Sequence, residues 1–221
     1  MKILFDYIRV NNIQGVKSIL ENNNQLIQFQ QGGYDLFHAA IFYCESSTKN
    51  FEMLQLLVEF GADINSFYTD GHNEYTPLKR ALFRNDTSLL LFLLQRGANP
   101  NQLFGEHYKT TCIHYCAKYS KYNFLSLLIE YGGDINIVDG FGNNILHIIT
   151  MFFTTVYNVE WMILKGLNPY HKNYEGKIPL EYVAKTIYLQ VDRTIQNAIL
   201  KINIIKNKLP QNVVVVFQSF F

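Results

Sequence analysis

A chain of 221 residues that is 48% hydrophobic and 15% aromatic has ample material for a buried core, which excludes disorder over most of its length. Nineteen basic residues against eighteen acidic leave a net charge of +1, too little for the sequence-independent attraction that nucleic-acid binding rests on. Three cysteines, Cys44, Cys112 and Cys116, are too few and odd in number for a disulfide framework, so a reducing, cytoplasmic setting is expected.

In chain order, Leu4, Phe5 and Ile8 share one face of a first predicted helix, and Val16, Ile19 and Leu20 share a face of the next. The opening residues are broken by charge and carry no signal-peptide pattern. No run reaches the roughly 20 apolar residues that a spanning helix needs. A six-residue phrase then recurs: Asp35-Leu36-Phe37-His38-Ala39-Ala40, Thr76-Pro77-Leu78-Lys79-Arg80-Ala81, Thr111-Cys112-Ile113-His114-Tyr115-Cys116 and Asn144-Ile145-Leu146-His147-Ile148-Ile149, with Ile178-Pro179-Leu180-Glu181-Tyr182-Val183 as a fifth copy. The Thr hydroxyl before the first helical residue can cap free N–H groups, and Pro77 has no N–H to lose there, so Thr76-Pro77 is the clearest start.

A second phrase closes each unit: Gly61-Ala62-Asp63-Ile64-Asn65, Gly97-Ala98-Asn99-Pro100-Asn101, Gly132-Gly133-Asp134-Ile135-Asn136 and Gly166-Leu167-Asn168-Pro169-Tyr170. The leading glycines stand 36, 35 and 34 positions apart. Before three of them, Leu54, Leu57 and Val58, then Leu90, Leu93 and Leu94, then Leu125, Leu128 and Ile129 fall at helical spacing, as the buried stripe of a second helix. Each glycine permits the left-handed conformation that ends that helix.

Two phrases recurring in fixed order at this period resemble the ankyrin repeat. The resemblance implies an all-α solenoid of about six stacked helix pairs joined by β-hairpin-like loops, whose work is protein binding. The predicted repeat domain covers residues 1–191, with repeats at about 1–31, 34–70, 75–106, 110–139, 143–173 and 177–191, the first being a degenerate cap. Residues 192–221 follow as a capping helix, with Ile195, Ile199, Ile202 and Ile205 on one face, and an apolar tail at residues 213–221.

None of the residues that could carry chemistry gathers into a site. His38, His114 and His147 take the fourth position of the opening phrase, where the resemblance implies hydrogen bonding within and between repeats. Cys112 and Cys116 replace small core residues, and His114 between them points elsewhere on the helix. No catalytic residue, cofactor or metal is expected.

Departures from the repeat are the better guide to a partner. Five extra residues fall around Cys44 to Asn50, and the hairpins Asn65 to Thr76 and Asn101 to Thr111 are longer than the eight-residue spacing of Asn136 to Asn144. The long hairpins bring Phe67, Tyr68, His72 and Tyr75, then Phe104, His107 and Tyr108, to loops that stacking does not require, and Phe141 stands at the next tip. These eight residues are the expected contacts for a protein partner, with Tyr68, Phe104 and Tyr108 as anchors. From residue 160 onward eight basic residues face four acidic ones, a mildly basic end.

The expected function is therefore a monomeric protein-interaction module or adaptor, gripping its partner by hairpin tips and the concave helix face. Residue usage rich in Asn, Ile, Lys, Tyr and Phe suits an AT-rich genome and a secreted effector or viral protein acting in a host cytosol. Two alternatives are a ubiquitin-ligase substrate adaptor, from the faint F-box-like opening at Leu209-Pro210, and a small enzyme using Cys112 or His107.

Overall fold

The computed structural model describes residues 2–43, 51–70, 73–105, 107–152, 158–184 and 187–208. The polar insertion at 44–50, His72, Leu209-Pro210 and the tail at 213–221 lie outside the described residues. The chain divides into two compact units, Met1–Gly105 and Glu106–Phe221.

The first unit is built from three helix pairs. Helices α1 (Lys2–Arg9) and α2 (Ile13–Asn22) pack through Leu4, Ile8, Val16 and Leu20, the residues that the helical period places inward. A 3-10 turn at Asn24–Gln28 leads to strands β1 (Gln30–Gln31) and β2 (Tyr34–Asp35), which pair antiparallel. Helices α3 (Leu36–Tyr43) and α4 (Glu52–Glu59) follow. Strands β3 (Tyr68–Asp70) and β4 (Asn73–Tyr75) form a second hairpin with Tyr68 opposite Tyr75, before α5 (Pro77–Phe83) and α6 (Thr87–Gln95). Thr76 caps α5, its Oγ accepting the Lys79 N–H at 3.1 Å, as its place before Pro77 predicts.

The second unit repeats the plan with α7 (Cys112–Lys118), α8 (Tyr122–Glu130), α9 (Ile145–Phe152) and α10 (Val159–Leu164). Its last opening phrase yields only a 3-10 turn, Pro179–Tyr182, in place of a sixth first helix. Helix α11 (Tyr188–Lys208) begins at Tyr188 rather than Asp192, because Val191 extends the buried stripe of Ile195 and Ala198. It packs on α10, to which the Lys201–Glu160 ion pair also ties it.

The closing glycines do what their position predicts, with φ of +86° at Gly97 and similar values at Gly61, Gly132 and Gly166. At the end of α6 the Gly97 and Ala98 N–H groups donate to the Leu94 and Leu93 carbonyls, a Schellman closure. Space around Gly97 is open, so the cost of a side chain there is conformational. Gly97→Val is expected to destabilise the chain by about 1–2 kcal/mol. Urea denaturation checks it, and an unchanged midpoint would contradict the closure.

Candidate protein-binding surface

The three phrase histidines are scaffold. On α7, the Thr111 N–H donates to His114 Nδ1 at 3.2 Å, and Thr111 Oγ lies 3.5 Å from the His114 N–H, so the ring closes a reciprocal cap. On α9, Asn144 and His147 make the same pair, and His147 Nε2 meets the Lys177 carbonyl of the following hairpin at 3.0 Å. Both rings are buried, and burial holds each below the ordinary imidazole range, although the Asp139 carboxylate pulls both the other way. At His38 the partner is Asp35, 2.9 Å from Nδ1. Burial would raise the Asp35 carboxyl, but His38 holds it low.

Two of the aromatics named on the long hairpins, Tyr68 and Phe104, turn inward, which corrects the expectation that they are free to contact a partner. Tyr68 is only 4% exposed, its ring 4.2 Å from Tyr34, 4.8 Å from His38 and 5.0 Å from Tyr75. Burial drives its hydroxyl pKa upward. Phe104 is 7% exposed and lies under the Lys79 ammonium, 4.2 Å from the ring centroid. Lys79 stands where three of the other phrases carry His, and its Nζ also donates to the Glu74 carbonyl, while the Glu74 carboxylate accepts the Gly105 N–H at 2.7 Å. The additional residues thus brace one hairpin against the next loop. Tyr75 is half-buried, and Phe67 remains exposed.

In the second unit His107, Tyr108 and Phe141 do lie on the surface. Tyr108 is 63% exposed and Phe141 51%, with their rings in an edge contact at 5.7 Å. The Gly140 N–H donates to the Tyr108 carbonyl at 2.6 Å, and a Cβ on Gly140 would stand 2.3 Å from the His107 carbonyl oxygen, so only glycine allows this approach. Tyr174 continues the series at 76% exposure, its N–H donating to the Phe141 carbonyl at 3.0 Å. Residue length of the hairpin does not reveal Tyr174. Its signal is the period, since 108, 141 and 174 are each 33 apart.

A further set of exposed side chains occupies the last turn of the first helices, four and five positions after the fourth residue of each phrase. In the first unit these are Phe42, Tyr43 and Phe83. In the second they are Tyr119, Met151 and Phe152, with the Lys118 ammonium 5.8 Å from the Tyr119 ring and 5.0 Å from that of Phe152. Aromatic rings and cations so placed have no stacking duty and suit an interface core.

The surroundings of Cys112 and Cys116 disfavour thiol chemistry. Cys112 and Cys116 are buried, and burial followed by the neighbouring Cys112 pushes the Cys116 thiol well up, away from the reactive thiolate. Both are expected to stay unmodified by iodoacetamide in the native chain. Peptide mapping by mass spectrometry reads this, and rapid labelling of either would place it outside the core. Among the described residues no group of three His, Cys, Asp or Glu side chains could hold a metal, and no helix is long and apolar enough to cross a membrane.

Known proteins share this architecture. The family model for ankyrin repeats in many copies matches residues 36–94, and that for the single ankyrin repeat matches residues 108–140. An ankyrin repeat protein of Acanthamoeba polyphaga mimivirus, L371, is 24% identical over 161 residues, which is 71% of this chain and 20% of that protein. The chain spans about a fifth of the length of that curated relative. An ankyrin repeat domain from Acinetobacter baumannii superposes with a TM-score of 0.66 at 21% identity, covering 88% of this chain and 96% of that one. A chain from the complex of the Bdellovibrio bacteriovorus endopeptidase Bd0816 with immunity protein Bd3460 gives 0.62 at 17% identity, covering 91% and 98%. These matches and the two recurring phrases define a repeat scaffold for protein interaction. The chain carries ankyrin repeats.

Proposed function

We propose that the chain grips a protein partner through the aromatic hairpin tips of its second unit, Tyr108, Phe141 and Tyr174, joined by the first-helix ends at Tyr119 and Phe152. The supporting observation is the ladder itself: three exposed rings at a strict 33-residue period on backbone that is hydrogen-bonded from tip to tip. Rings held on such a frame lose little side-chain freedom when a partner covers them, so their burial is retained as affinity. The burial of Cys112 and Cys116 as core thiols supports a reducing cytoplasm as the setting. The likeness to a mimivirus protein supports an effector or viral role in a host cytosol.

Affinity capture followed by mass spectrometry identifies the partner, and the tips are then tested by substitution. Each of Tyr108→Ala, Phe141→Ala and Tyr174→Ala is expected to weaken binding by about 2 kcal/mol, near thirtyfold, with a change in stability within about 0.5 kcal/mol. Undiminished capture by the triple variant, with the fold intact, would move the binding face elsewhere.

A further inference from the structure

The first unit carries a cleft of about 460 Å³ between the N-terminal helix and the first-helix face, lined by Phe5, Tyr34, Phe42 and Tyr43 together with Lys2 and Arg9. Its charges do not cancel. Asp6 is paired with Arg9 at 3.1 Å, whereas Lys2 meets no carboxylate among the described residues. Arg80 of α5 stands beside the same wall, its guanidinium carbon 5.4 Å from the Phe42 ring centroid, 5.3 Å from that of Tyr75 and 5.9 Å from that of Tyr68. It too forms no ion pair with a carboxylate among the described residues. Three rings hold the planar fork in place without neutralising it, and a half-buried guanidinium so fixed is prepared for a carboxylate.

We propose that this cleft receives an acidic segment of a partner protein that also carries apolar side chains, its carboxylates meeting Arg80 and Lys2 and its apolar groups covering Phe42 and Tyr43. Both of those rings are exposed. Charge complementarity sets the sign of the partner, and the aromatic walls require that it be more than charge. A peptide suits the site better than nucleic acid, because Asp6 lies within the lining and the whole chain is close to neutral. The inference rests on the reading of the chain as a protein-binding module but uses residues other than the aromatic tips.

The test takes the full chain and selects from a phage-displayed library of random peptides about a dozen residues long. Enrichment of Asp and Glu interleaved with Leu, Phe or Trp is the expected result. A fluorescein-labelled selected peptide should bind roughly tenfold more weakly to Arg80→Gln and to Lys2→Gln, with Arg80→Lys recovering part of the loss, and more weakly as salt rises from about 50 to about 300 mM. Thermal unfolding of each variant confirms its fold, and Lys2→Gln, at an exposed position, carries the test if Arg80→Gln unfolds. Selection of neutral or basic peptides overturns the inference and leaves the tip reading standing, as does an acidic peptide indifferent to both substitutions. A labelled oligothymidylate that binds as tightly as the peptide overturns it in favour of nucleic acid. If no peptide is selected and the tip variants alter no capture, both readings fall.

Discussion

Tyr68→Ala is expected to lower the stability of the chain by about 3 kcal/mol or more, in the range for deleting a buried aromatic ring. The ring lies between Tyr34 and Tyr75 and against the edge of His38, so its removal opens a void that three neighbours line. Those neighbours come from β2, β4 and α3, and relaxation into the void would have to move all three elements together. Phe104→Ala should cost a similar amount, because it also strips the Lys79 ammonium of the ring beneath it. Urea unfolding followed by circular dichroism checks both, with Tyr108→Ala as the surface comparison. Equal midpoints for Tyr68→Ala and Tyr108→Ala would show that the hairpin is not packed as described.

Acid should destabilise the protein well before its carboxylates titrate. His114 and His147 are buried and held below the imidazole value of about 6.5 that they regain on unfolding. Below that value the unfolded chain binds protons that the folded chain refuses, so stability falls as pH drops, and the loss ends once the folded-state values are passed. Each group contributes up to about 1.4 kcal/mol per pH unit, so the two together approach about 3 kcal/mol per unit. Around His147 stand Asn144, the Lys177 carbonyl, His171 and Tyr182, and around His114 stand Thr111 and the Asp139 carboxylate. Asp139 opposes the effect without reversing it. Denaturation midpoints at pH 7.0, 6.0 and 5.5, each set as an approximate buffer value, read the slope, and a flat profile would mean that these rings are already protonated or solvated in the folded chain.

The repeat phrases, the caps and the buried stripes were legible because each is a local rule repeated at a fixed period. Thr76 before Pro77, and Gly97 after Leu93 and Leu94, announce a helix start and stop without any tertiary information. Hairpin length was a poorer guide. It identifies residues that the repeat does not need, but Tyr68 and Phe104 show that extra residues can fold back onto the scaffold as readily as they reach outward. The direction depends on Lys79 and Glu74, whose bonds across the loops cannot be read from the spacing. Tyr174 sits in a hairpin of ordinary length, so a search by insertion passes over it, and a search by phase finds it. The last unit departs from its phrase for a related reason: Pro179 starts a helix, but only a 3-10 turn forms before α11 takes over the end.

One set of bonds bears on how such a gene can change. Asn65 Oδ1 accepts the Asn99 N–H at 2.7 Å, and Asn136 Oδ1 accepts the Asn168 N–H at 2.8 Å, so the closing phrase of one repeat fixes the height of the next. The paired residues stand 34 and 32 positions apart, so the clasp tolerates a difference of two residues in the chain it encloses. Insertions and deletions at hairpin tips leave both ends of the clasp in place, whereas the loss of one residue inside the five-residue phrase removes it. A repeat cut from phrase to phrase takes its closing phrase with it whole, so unequal recombination can add or excise one without breaking a phrase.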